Sequence, residues 1–426
     1  MPGDLSKVFQ LTSDFLKKRQ DETGLWKVDE IKHNEPSLYQ GSLITTSQCM
    51  LTLMYCQNKD TIVNMAKAAH YLYSRTLHDR DPIDLWAWKT HALKHVNTDL
   101  YRRTVKENQA FIAKEQTKHG YWSVFPKTFN LTNFSCMLAL LDSEHSAELK
   151  RVSDWLCDNK AKDGFGWGHD DTSESSQITF TAIISMVLLG AGRDPLDPKL
   201  QEVRRYFEMT QNADGSWNST KFTSGMPTTF ATTVVLDVLM RLVDDPFDPK
   251  IKRGISFLVG SQNPDGSWPI VRGEDGRQFY PYLYIIKTLA FYKYLKDHWS
   301  NLENQVLVNS DIPKQVVVSH LAKEFEKYIT NKFNYNIAKR VFESRFLGIT
   351  KKAVERRKKI LQILADHPAL DVAEVIDELK KIKTYENLNK KTHLTQLKSD
   401  LEYLRSLNLV YLKNYKYYTT FDFNKL

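Results

Sequence analysis

The chain has 426 residues, 42% of them hydrophobic, with 59 Lys and Arg against 51 Asp and Glu. That length suffices for two domains with ordinary cores, and no apolar run reaches the ~18 residues that a membrane-spanning helix needs. No signal-peptide pattern is legible, so a cytoplasmic setting is expected, with Cys49, Cys56, Cys136 and Cys157 as free buried thiols rather than a Cys-x-x-Cys pair.

In chain order, the first 298 residues alternate between two kinds of helix. Amphipathic segments are predicted near 4–18, 61–76, 104–115, 147–158, 199–209 and 249–259. Each is followed by a segment that is apolar nearly all round, near 43–56, 84–96, 131–142, 175–190, 228–242 and 280–296. A helix with so little polar surface belongs in an interior. Between the two kinds runs a short motif, Gln-x3-Gly-x-Trp, at Gln20/Gly24/Trp26, Gln116/Gly120/Trp122, Gln211/Gly215/Trp217 and Gln262/Gly266/Trp268. Its glutamines are 96, 95 and 51 residues apart, multiples of a period of roughly 48, the length of one stacked supersecondary unit. Asp163-Gly-Phe-Gly-Trp167 fills a further slot without a glutamine, and the stretch around Trp86 and Trp88 fills the sixth without a clear motif. A second marker, Asp194-Pro-Leu-Asp-Pro-Lys199 and Asp245-Pro-Phe-Asp-Pro-Lys250, repeats at the same offset of 51. The expected fold is mainly α: six helical hairpins in a closed (α/α)6 barrel over 1–299, with the motif as a staple in which Gly supplies a turn and Gln and Trp cover helix ends.

These repeats resemble the QW repeats of terpenoid cyclases and the α/α toroid shared with the β subunits of protein prenyltransferases, over about residues 1–298. The resemblance directs attention to Gly168-His-Asp-Asp-Thr-Ser-Glu174, at the start of an inner helix. Class II terpene cyclases carry Asp-x-Asp-Asp, which supplies the acid that protonates an alkene or epoxide. Asp170, Asp171 and Thr172 match its latter part, making Asp170 the implied proton donor with His169 beside it, while Gly168 stands where the first Asp should be. Helix capping is the competing role for the same side chains. Cyclases that use this motif are expected to place their cavity between two barrels, and only one is legible. Neither Asp-Asp-x-x-Asp nor the Asp-x-Cys and late inner-helix His of a prenyltransferase zinc site is present, so no cofactor and no metal are expected. Phe134, Phe180, Phe230, Tyr280, Tyr282 and Tyr284 lie near inner-helix starts, where they could line an apolar cavity or stabilise a cation.

A helical connector follows over 300–350, and a small basic unit over 351–426. Residues 301–426 hold 23 Lys and Arg against 15 Asp and Glu, which leaves 36 of each for 1–300. Helices near 358–365 and 372–381, a third from Thr392 carrying leucines on one face, and a hairpin near 409–421 resemble a winged helix-turn-helix. Lys390, Lys391, His393, Gln396 and Lys398 on the third helix, with Lys413 and Lys416 on the wing, are the expected contacts to double-stranded DNA. The leading expectation is a cytoplasmic regulator within a multi-protein system such as bacterial defence. In it the barrel is a ligand-sensing or protein-docking platform for a nucleic-acid-binding tail, with a protein partner or an apolar small molecule at the barrel mouth. The alternatives are an isoprenoid-processing enzyme with Asp170 as general acid, and a pure protein scaffold.

Overall fold

The computed structural model describes residues 5–27, 38–96, 98–123, 129–219, 225–274, 278–302, 313–344, 351–367, 369–382, 397–398, 400–401, 404 and 410–419. Six helices form an outer layer: α1 (Leu5–Arg19), α3 (Ile62–Ser74), α5 (Thr98–Lys114), α7 (Ser146–Asp158), α9 (Pro198–Thr210) and α11 (Pro249–Val259). Six alternate with them inside: α2 (Leu38–Cys56), α4 (Ile83–Val96), α6 (Asn130–Leu140), α8 (Ile178–Gly190), α10 (Thr229–Leu242) and α12 (Tyr280–Leu302). Each inner helix packs on the next, and α12 packs on α2, so the ring closes. The layers follow from composition. Every residue of α8 from Ile178 to Leu189 is buried, whereas α7 buries only Leu149, Val152, Ser153, Leu156 and Cys157 along one stripe.

The repeated sequence markers are structural joints. Asp197 and Asp248 cap α9 and α11, accepting from the backbone amides of Lys199 and Lys250 at 2.8 and 2.7 Å, with Pro198 and Pro249 in the first turn where a missing N–H does no harm. In the Gln-x3-Gly-x-Trp motif, the glutamine amide donates to a carbonyl of the next outer helix: Gln20 to Asn64, Gln116 to Glu148, Gln211 to Lys250. The indole N–H returns to the preceding outer helix, Trp26 to Leu16, Trp122 to Ile112 and Trp217 to Phe207. The tryptophan backbone N–H donates inward, to Thr46, Asn133 and Thr232. One motif therefore ties two outer helices and an inner one. The last motif closes the ring: Gln262 donates to the Val8 carbonyl and Thr12 Oγ1, and Trp268 Nε1 to Thr12 Oγ1 at 2.9 Å.

The slot that lacks glutamine is filled by lysine. Lys160 Nζ donates to the carbonyls of Lys199 and Gly164 at 3.1 and 3.2 Å, the same two kinds of acceptor that each Gln amide reaches. The longer side chain spans a loop with one more residue before Trp167, whose indole still reaches the Leu156 carbonyl. Between the fifth repeat's two helices a two-residue ladder forms, β1 (Trp217–Asn218) antiparallel to β2 (Pro227–Thr228).

The connector is one long helix, α13 (Lys314–Ser344), that packs on the barrel. His95 at the end of α4 meets Thr330 at 3.0 Å, Lys332 donates to Gln57 beyond the end of α2, and Gln315 donates to Asp244 beyond the end of α10. α13 thus crosses the end of the barrel at which the inner helices terminate.

Beyond it lie α14 (Lys351–Asp366), α15 (Val372–Lys380) with a complete capping box on Asp371 and Glu374, and a hairpin, β3 (Val410–Lys413) and β4 (Lys416–Thr419). Asp400 is buried between Arg356 and Arg357 at 2.5 and 2.6 Å. Leu397, Leu401 and Leu404 are buried, while most of the expected third helix, with Lys390, Lys391, His393 and Gln396, lies outside the described residues. Lys398 and Lys413 are exposed, and Lys416 sits 3.8 Å from Glu374. Among the described residues no helix is long and apolar enough to cross a membrane.

Candidate functional site

The barrel interior is layered, and the layers can be followed down α4. Asp84, Trp88, His91 and His95 fall at i, i+4, i+7 and i+11, one helical stripe. On α12, Tyr280, Tyr284 and Lys287 follow the same spacing.

The first layer lies where the inner helices begin. The Asp84 carboxylate accepts from Thr132 Oγ1 at 3.2 Å and Ser135 Oγ at 2.5 Å, both on α6. Burial raises its pKa, and the two hydroxyl bonds offset only part of that rise. A carboxyl on this wall is thus shifted toward its protonated form. Half-buried Phe230 and Tyr280 stand at the same level on α10 and α12, their rings T-shaped with centroids 5.1 Å apart.

The second layer is aromatic. Phe134 of α6 meets Tyr284 of α12 at 6.2 Å between centroids, Trp88 is 6.5 Å from Phe134, and Phe230 is 5.1 Å from Tyr284. Among the cavity residues expected from the sequence, Phe134, Phe230, Tyr280 and Tyr284 share this cluster. Phe180 does not join it; it is buried against the His169 ring at 5.4 Å. Tyr282 faces the wall instead. It stacks on Phe15 of α1 at 5.8 Å, and its hydroxyl accepts from the Trp268 backbone N–H, the role that Thr or Asn plays in other repeats. Trp88, read from the sequence only as part of a motif slot, is a member of the cluster.

The third layer is cationic. A cavity of about 560 Å³ lies between α4, α5, α6, α8 and α13, reached by His91, Arg241 and Lys287 from the inner helices. Glu326 of α13 is its main counter-charge, bonded to Lys287 at 2.7 Å and to the Tyr55 hydroxyl. Burial would raise the Glu326 pKa, but the Lys287 ammonium, His95 and the hydrogen bonds outweigh it and hold the carboxyl at about 2. Burial together with Lys94 pushes His95 down to about 3, and burial brings Lys94 to about 8.

The Gly168–Glu174 cluster is a tight turn at the start of α6. Asn130 donates its backbone N–H to the His169 carbonyl and its side-chain amide to the Gly168 carbonyl. Asp170 Oδ1 accepts from the Thr172 backbone N–H at 3.1 Å, Thr172 Oγ1 at 2.8 Å and Ser173 Oγ at 3.3 Å, with His169 Nδ1 3.5 Å from the other oxygen. Burial is the largest single influence and raises the Asp170 pKa, but these hydrogen bonds together outweigh it, so the carboxyl lies below its ordinary value. That is the opposite of what a proton donor needs. Asp171 is exposed. Cys49 and Cys136 are buried thiols raised well above their ordinary pKa by desolvation. Among the described residues no three His, Cys, Asp or Glu side chains are grouped to hold a metal ion.

The sequence matches the squalene-hopene cyclase C-terminal domain over residues 56–234 and the prenyltransferase α/α toroid domain over 220–337. No curated protein matches the chain. Among solved structures, an arginine-to-alanine variant of the type II terpene cyclase MstE from Scytonema, in complex with the substrate geranylgeranyl dihydroxybenzoate, is 16% identical with a TM-score of 0.51, over 67% of this chain and 96% of that one. An aspartate-to-alanine variant with the product merosterolic acid A gives the same figures, and the apo enzyme matches at 16% identity and TM-score 0.50 over 67% and 97%. The shared fold is the terpene-cyclase-like α/α toroid. Two thirds of this chain thus covers nearly the whole length of MstE. The reading of the barrel as a platform for a DNA-linked regulator is corrected by the same matches, which favour its alternative, an isoprenoid-processing enzyme.

Proposed function

We propose that the chain is an isoprenoid-processing enzyme of the type II terpene cyclase kind, which protonates an alkene or epoxide and lets the carbocation cyclise. The observation that carries this reading is the pairing of a half-buried carboxyl, Asp84, whose pKa is raised, with an aromatic layer one helical turn below it. Initiation needs a carboxyl whose pKa is raised toward the protonated form, and desolvation raises that of Asp84. Propagation needs a positive charge to be stabilised without a nucleophile, and the faces of Trp88, Phe134, Phe230 and Tyr284 offer it by cation–π attraction, about 0.5–2 kcal/mol per ring.

The assignment moves the acid from Asp170 to Asp84. In this reading Thr132 and Ser135 hold the carboxyl on the wall, the Gly168–Glu174 turn shapes the rim, and Tyr280 and Phe230 meet the entering chain. The cationic chamber below is no place for the reaction, because a carbocation there would face Lys287, Lys94 and Arg241. Incubation with polyprenyl substrates, including a geranylgeranyl-substituted aromatic acid, tests the proposal by product analysis. Cyclised product supports it, and no product from any polyprenyl alkene or epoxide would overturn it.

A further inference from the structure

We propose that the chamber beneath α13 is a binding site for a compact polyanion of the phosphate-ester or diphosphate class, separate from the aromatic layer. The chamber is lined by seven Lys and Arg and only three carboxylates, Asp142, Glu144 and Glu326. Glu326 is already committed to Lys287 and Tyr55, and Arg241 to Asp237 at 2.9 Å. Lys94, at the back, donates to the Leu138 and Leu141 carbonyls at 2.6 and 2.9 Å, and Lys327 lies 3.4 Å from Glu324, while Arg102 and Lys106 on α5 face Lys323 on α13 across the chamber.

Two features distinguish this from a solvated basic surface. The positive side chains are concentrated around a concave space of about 560 Å³, the size of a small-ligand site. Arg102 with Lys106, and Lys323 with Lys327, are like-charged i, i+4 pairs, an arrangement that an added anion in the chamber would relieve. The chamber also presents a hydroxyl, Ser319 Oγ on α13, that is buried without a hydrogen-bond partner and would donate to an anion oxygen. Leu138, Met186 and Leu189 give the floor an apolar side, which suits an ester with a short apolar substituent. The ligand would touch both the barrel wall and α13, so it would hold α13 in place.

Calorimetric titration of the intact chain with inorganic pyrophosphate and phosphate, at about 0.15 M salt, tests the site without recourse to turnover. Saturable binding is expected, tighter for pyrophosphate, with a raised unfolding midpoint. The exposed pair Lys106→Glu with Lys323→Glu should weaken pyrophosphate binding about tenfold or more. The control pair Lys7→Glu with Lys252→Glu, an equal charge change away from the chamber, should leave it unchanged. Equal weakening by both pairs would mean attraction to net charge alone, and absence of binding by the unaltered chain would likewise overturn the site. Either result leaves the cyclase reading to its own assay.

Discussion

Phe134 and Tyr284 belong to helices that face each other across the barrel, yet their rings meet with centroids 6.2 Å apart. The lumen is therefore filled at that level, and the interior is two compartments rather than one. Above the contact are a carboxyl and half-exposed aromatic rings, and below it are cations. A barrel made of stacked repeats can keep such opposed environments about 10 Å apart because an α-helix rises 1.5 Å per residue and one inner stripe visits both. Asp84 and His91 on α4 are an example.

Asp84 separates catalysis from stability in opposite directions. Asp84→Asn should lower turnover by about 10²- to 10⁴-fold, the usual worth of a positioned acid. The same change should raise the unfolding midpoint at neutral pH. The sign follows from its raised pKa: the folded state disfavours the ionised form, so folding loses stability as pH rises through the unfolded value toward the folded one. An uncharged amide has no such penalty. Asp170→Asn should leave turnover nearly intact and lower stability modestly, since its carboxylate is the hub of a turn. Loss of activity in Asp170→Asn alone would return the acid to the Gly168–Glu174 turn.

Phe134→Ala should cost about 3–5 kcal/mol, because a fully buried ring is removed where nothing can collapse to refill the space. Chemical denaturation measures that term. A smaller aliphatic, Phe134→Leu, should retain most stability while joining the two compartments, and its product spectrum with a polyprenyl substrate should broaden toward incompletely cyclised material. An unchanged spectrum would argue that Phe134 is core alone.

The outer architecture was legible because its joints recur as sequence. Gln211, Gly215 and Trp217 do the same three things that Gln20, Gly24 and Trp26 do, and the period follows from counting. The slot at Asp163 hid its joint, since Lys160 replaces Gln and the loop gains a residue, and no propensity rule equates the two. The interior was less legible. Tyr280, Tyr282 and Tyr284 all look alike in sequence, but alternate positions on a helix point to different sides, and only the observed wall assigns Tyr282 to Trp268. Asp84 escaped notice because an aspartate in the first turn of a helix is ordinary; its partners, Thr132 and Ser135, lie 48 and 51 residues away. The Asp170–Asp171 pair drew attention as a motif, and local hydrogen bonds give Asp170 a role in the turn, while Asp171 is exposed.

Two glycines with one backbone conformation should respond unequally. Gly266 has φ +90°, and a Cβ there would lie 2.2 Å from the Leu11 carbonyl oxygen, across the seam that closes the ring. Gly164 has φ +77° with nothing within 4 Å. Gly164→Ala should cost only the left-handed strain, about 1 kcal/mol. Gly266→Ala should cost more than twice that, because two backbones must separate and the bonds of Gln262 and Trp268 to α1 lengthen with them. Denaturant midpoints of the two variants decide the matter, and equal losses would mean that the seam yields freely.

The α13 latch should be acid-sensitive. Glu326 is held at about 2 in the folded protein against an ordinary value of 4.5, so its contribution is full above pH ~4.5 and disappears as pH falls through the folded value. The interval corresponds to a contribution on the order of 3 kcal/mol. Unfolding midpoints measured from pH 6 to pH 2 should therefore fall more steeply in the native sequence than in Glu326→Gln. At neutral pH, Glu326→Gln should be the less stable protein, since Lys287 is left buried without its counter-charge. Adding Lys287→Met to that variant should recover most of the loss, because the isolated ammonium is gone. If the two losses simply add, the pair is not the latch, and the contacts of His95 with Thr330 and Lys332 with Gln57 hold α13 instead.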